Sequence, residues 1–131
     1  KQTYLDYNEG PLTVTSGKPD IINDLARGKH GRRLMVGDGS SDLATRSVVD
    51  LFVGFGGVVA RDKVRDESDV FIPNESIAPI LPLAAGPEGD ERVKGARHQH
   101  IFERSIALSR DTRFKPDDMR VTFEKAFFYD S

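Results

Sequence analysis

Three short apolar runs limit what this chain can fold into. They are "RRLMVG", "DLFVGFGG" and "DVFIP", at residues 32–37, 50–57 and 69–73. Each is too short for a buried helix, and unbroken apolar character suits a strand covered on both faces. Helix-compatible segments separate them. "KPDIINDLARGKH" reads as a helix of three turns or fewer, with Pro19 in its first turn and Gly28 as its stop. Ile21, Ile22 and Leu25 form its apolar side. A second helix starts near Ser40 or Ser41 and runs through "DLATRSVV", with Leu43 and Val48 facing inward. "VARDKVRDES" reads as a short exposed helix. Upstream, Leu12 and Val14 alternate with Thr13 and Thr15, as in a strand with one wet face. Strands and helices thus alternate over residues 12–72. That order predicts an α/β fold with a parallel sheet flanked by helices.

The second half has a different character. "PNESIAPILPLAAGPEG" holds four of the seven prolines and is expected to close the first unit. The division is then residues 1–85, followed by a C-terminal extension at 86–131. Within the extension, Gln99 to Ser109 reads as a helix with Ile101, Ile106 and Leu108 on its apolar side. "MRVTFEKAFFY" fits either a strand or an amphipathic segment.

Composition removes several classes of function. The chain has 131 residues, enough for one ordinary domain, and a formal net charge of -2 from 19 basic and 21 acidic residues. That balance predicts neither a nucleic-acid partner nor a membrane surface. The absence of cysteine excludes disulfides, thiolate nucleophiles and iron–sulfur sites within these residues. No apolar run approaches the roughly 18 residues of a membrane span. The polar opening "KQTYLDYNEG" does not read as a signal peptide. An intracellular location, cytoplasmic or organellar, is the expectation.

The chemistry concentrates in "VGDGSSDLA". In an open parallel sheet, ligands bind beyond the carboxyl ends of the strands. Asp38 falls at that place, and Asp42 falls in the first turn of the next helix. Gly37 and Gly39 allow a sharp turn and a close backbone approach. Two nearby carboxylates repel unless a cation or proton relieves them. Mg²⁺, a hard cation that takes oxygen ligands and keeps several waters, fits such a pair. The plainer reading is that Asp-Gly is a common turn dipeptide and Asp an ordinary helix cap.

Taken together, "SGKPDIINDL", "RRLMVGDGSSDLA" and "DLFVGFGGVVARDKVRDESDVFI" resemble the C-terminal half of phosphoserine phosphatase-like proteins. These belong to the haloacid dehalogenase (HAD) superfamily of magnesium-dependent phosphatases. The resemblance covers roughly residues 12–73, in matching order and spacing. It implies a partial Rossmann-like HAD core followed by an unrelated extension. It also implies a phosphomonoester substrate such as phosphoserine, with Mg²⁺ as cofactor. On this resemblance Lys18 pairs with the phosphate and the nucleophilic aspartate. Asp38 ligates the metal directly and Asp42 holds its waters. Gly17, Gly39, Ser40, Gly56 and Gly57 are the candidate substrate contacts, and Gly54 shares their strand. Simple strand punctuation accounts equally well for the three glycines of that strand.

The resemblance also shows what this sequence lacks. The family's nucleophile lies in an Asp-x-Asp-x-Thr segment, and the 131 residues contain none. Neither the second motif's Ser or Thr nor the small cap domain is found, and the strand order does not support Thr13, Thr15 or Ser16 as a substitute. Val58 stands where the family usually has Asn, and the doubled glycine before the lysine is reduced to Gly17. These 131 residues are therefore expected to be inactive alone. A non-catalytic protein that binds metal or phosphate, or that serves in assembly, is the alternative. In this fold the absent first strand lies mid-sheet, so its loss leaves an edge to cover. A strand near "RVTFEKAFFY", a complementary segment or a homo-oligomer could cover it. Other candidates are weaker. His98 and His100 need further partners to hold a metal. The basic "RDTRFKP" is followed by Asp117 and Asp118 and suits a solvated face.

Overall fold

The computed structural model describes residues 17–128. It is α/β, with one four-stranded sheet in the order β1-β2-β3-β4. The strands are β1 (Leu34–Gly37), β2 (Leu51–Phe55), β3 (Val70–Ile72) and β4 (Arg113–Phe114). β1, β2 and β3 run parallel, in a register that places Leu34 beside Leu51 and Val53 beside Val70. Parallel neighbours need a crossover of about a dozen residues. The first crossover is α2 (Ser40–Leu43) with a 3-10 turn at Ala44–Val48, and the second is α3 (Asp62–Glu67). The expected strand at residues 12–15 lies outside the described residues.

Side-chain alternation along β2 divides the core in two. Phe52 and Val53 are both fully buried and point to opposite faces. Phe52 joins Leu43, Val64 and Phe71 beneath α2 and α3, with Met35 and Val49 at the margin. Val53 joins Val70 and Ile72 on the other face, where Leu34, Val36, Ile80 and Leu83 add to it. Thus β1 is covered on both faces, as its apolar run implies, although all four of its residues are only half-buried.

Asp69, just before β3, clips three strands together. Its carboxylate accepts the Phe52 amide at 2.9 Å, and its own carbonyl accepts the Lys115 amide at 2.8 Å. The second bond holds the chain as it leaves β4, which pairs antiparallel with β3.

Several expectations change. α1 (Lys18–Ala26) is where the sequence places it, with Pro19 in the first turn and Gly28 at φ +76° just beyond its end. Leu25, however, is 66% exposed, while Pro19, Ile21, Ile22 and Ala26 are half-buried. The proline-rich segment contains α4 (Ile80–Ala85), in which Pro79 and Pro82 are buried and cost no hydrogen bond at a helix start. α5 (Gly89–Val93) follows. α6 (Gln99–Leu108) buries Phe102 and Ser105 rather than Ile101, which is 46% exposed. "MRVTFEKAFFY" forms no strand among the described residues: Asp117–Phe127 is helix α7. Phe123 and Phe127 lie four apart on one face, with ring centroids 4.9 Å apart. Phe123 also packs on Phe114 of β4 at 5.0 Å. The extension therefore covers the β3 side of the sheet, not the β1 side.

Phe123→Ala tests whether the extension is part of the core. It is expected to lower unfolding stability by about 3 kcal/mol in urea denaturation. A loss below about 0.5 kcal/mol would show that α7 contributes nothing to the fold.

Candidate functional site

The site forms where β1 ends. Gly37 closes the strand, Asp38 follows in the open, and Gly39 is the extended residue before α2, at φ −124° and ψ 171°. Asp42 is the third residue of α2 and reaches back over the turn. Its Oδ2 accepts the amides of Asp38 and Gly39, each at 3.2 Å. This is one arm of a capping box, in which a side chain satisfies donors that the helix start would leave unpaired. The path requires glycine at 37, because a Cβ there would sit 2.5 Å from Asp42 Cγ. Thr45, fully buried, donates its hydroxyl to the Asp42 carbonyl at 2.6 Å and fixes the other side of the turn. Nothing in the motif reading singles out Thr45. Its one sequence signal is a polar residue on the buried side of "DLATRSVV".

Lys18 arrives from a distant point in the chain. It is the first residue of α1, and its Nζ donates to Asp42 Oδ1 across 24 residues of sequence. α1 is held in place by Arg33, whose Nη1 donates to Asn23 Oδ1 at 2.9 Å and to the Val48 carbonyl at 3.1 Å. The Asp42 side chain is only 13% exposed, so this pair is better shielded than an ordinary surface pair. Asp42 is thus bound by one ammonium and two amides.

Asp38 is different. Its side chain is exposed, and among the described residues no ion pair or hydrogen bond engages its carboxylate. The two aspartates therefore divide the work, Asp42 shaping the turn and Asp38 facing solvent at the strand end.

These donors fit Mg²⁺ in part. Asp38 offers a free hard oxygen, and Asp42 keeps lone pairs beyond the three it uses. Among the described residues no group of three His, Asp or Glu side chains is arranged to hold a metal. Of this donor set, Asp38 is the residue that would hold such an ion, because its carboxylate alone of the pair is left free.

The remaining candidates are placed as follows. Gly17 is buried beside Lys18, and Ser40 is exposed at the start of α2. Gly54, Gly56 and Gly57 each have a packing reason to be glycine. A Cβ at 54 would lie 2.9 Å from Val64 Cγ1, one at 56 would enter the Phe71 ring, and one at 57 would sit 2.5 Å from the Asn74 carbonyl. Val58 follows at the carboxyl end of β2 and is 85% exposed. His98 and His100 are both exposed. In "RDTRFKP", Arg110 lies over the Phe128 ring at 4.8 Å and Asp111 accepts from Asn74 at 2.7 Å, so both take part in packing the extension.

Comparison with known proteins agrees with the resemblance read from the sequence. Over 63 residues, 47% of this chain, it is 36% identical to phosphoserine phosphatase of Bos taurus. Over 63 residues it is 35% identical to the phosphoserine phosphatases of Rattus norvegicus and Homo sapiens. The match covers 28% of the length of these relatives. The chain thus carries a phosphoserine phosphatase-like segment. No protein-family model matches the chain. No solved structure matches it either.

The division between the aspartates has a measurable consequence. Asp42→Ala frees two amides and an ammonium, and is expected to cost about 1–3 kcal/mol of unfolding stability. Asp38→Ala is expected to stay within about 0.5 kcal/mol of the parent. Equal losses from the two substitutions would contradict the division.

Proposed function

We propose that this chain supplies the metal and phosphate side of a magnesium-dependent phosphomonoester hydrolase of the phosphoserine phosphatase type. The observation that carries this reading is the meeting of Lys18 with Asp42 beside a free Asp38, at the carboxyl end of a parallel strand. Parallel-sheet proteins bind ligands at this place. The family is the HAD superfamily, and phosphoserine is the first substrate to try.

Each residue has a task that follows from charge. A phosphate monoester dianion repels an anionic nucleophile, so fixed cations must flank it. Lys18 supplies one such cation, held in place by Asp42. Asp38 would hold Mg²⁺, which supplies a second positive centre for the phosphoryl oxygens. Asp42 keeps the Asp38 turn rigid by holding the amides of residues 38 and 39. The space beside Gly39 is open, since a Cβ there would meet only Asp42 Oδ2, at 3.7 Å.

Covalent transfer needs a nucleophile, and these residues include no Asp-x-Asp-x-Thr segment. These 131 residues are therefore expected to need a segment that carries such a nucleophile to complete the site. A second reading is a non-catalytic binding or assembly protein derived from such a phosphatase. It is favoured by the internal engagement of Asp42, which accepts from Lys18 and from the amides of Asp38 and Gly39.

The deciding experiment is phosphate release from phosphoserine by the purified chain, with and without Mg²⁺, alone and with an added segment carrying Asp-x-Asp-x-Thr. Calorimetric titration of Mg²⁺ runs alongside. The proposal expects no release alone, release with the added segment, and Mg²⁺ binding weakened at least about tenfold by Asp38→Asn. Mg²⁺ binding unaffected by that substitution would remove Asp38 from the site. Binding that persists without any release, even with the segment, would favour the second reading.

A further inference from the structure

α1 carries Lys18 as its first residue, yet it is a lightly anchored helix. Its nine residues are too few for a helix that is stable by itself. None of them is fully buried, and Ile21 and Ile22 are half-buried. Apolar contact holds a helix against a surface but has no direction, so it resists sliding and rotation poorly. Among the described residues, two directional ties supply what it lacks. One is Lys18 itself, on Asp42. The other is at Asn23, five residues on and about 7.5 Å further along the axis.

Arg33 makes that second tie. Its Nη1 carries two hydrogens, and it donates to Asn23 Oδ1 at 2.9 Å and to the Val48 carbonyl at 3.1 Å. Its backbone is fixed in the sheet. The Arg33 amide donates to Asp50 Oδ2 at 2.7 Å, and its carbonyl accepts the amides of Asp50 and Leu51 at 2.9 and 3.1 Å. The guanidinium thus projects from a set point just before β1. Val48 ends the 3-10 turn that continues from α2, the helix of Asp42. α1 is therefore tied to one continuous segment at two places, by Lys18 to its beginning and through Arg33 to its end.

We propose that Asn23 and Arg33 are positioning residues for Lys18, fixing α1 so that the ammonium stays over Asp42 and beside Asp38. The inference rests on the proposed function for the phosphate that Lys18 would face. It adds that phosphate affinity depends on two residues that make no hydrogen bond to Lys18, Asp38 or Asp42 among the described residues. A rod held at two points keeps one orientation, and a rod held at one point pivots. Pivoting moves Lys18 but leaves the Asp38 turn in place, because Asp42 holds the amides of that turn independently of α1. The loss therefore falls on phosphate and spares Mg²⁺.

Asn23 is exposed and alanine is the better helix former, so Asn23→Ala removes the tie without opening a cavity or weakening α1 itself. Asn23→Asp keeps an oxygen that accepts from Arg33. Arg33→Met keeps the stem and removes the donors. Two readouts are taken on the full chain. The first is the rate of Lys18 acetylation by trace acetic anhydride, read by mass spectrometry against the exposed Lys63. The second is calorimetric titration of inorganic phosphate in saturating Mg²⁺, with Mg²⁺ titrated separately. Asn23→Ala is expected to speed Lys18 acetylation and weaken phosphate binding, each about fivefold, with Mg²⁺ affinity held within about twofold. Asn23→Asp is expected to match the parent in all three. The double variant is expected to be no worse than Arg33→Met alone, since both break the same tie. Unchanged Lys18 acetylation in Asn23→Ala overturns the inference, whatever happens to phosphate. Equal losses of phosphate and Mg²⁺ affinity overturn it too, as does a failure of Asn23→Asp to keep the parental values. A parent that binds no phosphate overturns the phosphate reading of Lys18 instead, and acetylation then still decides whether Asn23 and Arg33 position the lysine.

Discussion

Phe52 and Val53 are consecutive, fully buried and directed to opposite sides of the sheet. That constraint organises the molecule. A strand buried on both faces needs neighbours on both edges and helices above and below. β1 and β3 provide the neighbours, and α2 and α3 cover the Phe52 face. Ile80 and Leu83 of α4 add to the Val53 face. Parallel pairing then brings the ends of β1 and β2 out at the same side, and the Asp38 turn and the Gly56–Gly57 turn follow from those ends. The site is a consequence of how β2 is buried.

Packing and chemistry share residues at that site. Asp42 holds the turn as a helix cap holds any turn, and the same carboxylate positions Lys18. Gly37 is glycine because Asp42 lies against it. The glycines after β2 follow the same logic, leaving room for the Phe71 ring and the Asn74 carbonyl. Residues that resemble a ligand-binding pattern can therefore be required by the fold alone. Only Asp38, exposed and unengaged among the described residues, lacks a structural task of this kind.

The parallel strands were legible in the sequence because each is an unbroken apolar run between helix-compatible segments. Asp38 and Asp42 were legible as a pair because they follow such a run at a glycine turn. The difference between them was not, since four-residue spacing does not tell which carboxylate bends back to the amides. Thr45 was hidden because a hydroxyl bonded to a nearby carbonyl leaves no pattern. α4 was obscured by its prolines, which mark a helix start as readily as a break. In the extension, Val121 and Phe123 suggested alternation, yet the spacing that packs is Phe123 with Phe127. The two periods overlap over so short a stretch, and tertiary packing on Phe114 decided between them.

The far side of the sheet has its own consequence. β4 contributes only Arg113 and Phe114, and Pro116 follows at once to start α7. A two-residue strand flanked by charge and proline gives a newcomer almost nothing to pair with. Among the described residues, the β4 side of the sheet is therefore closed to growth by an added strand.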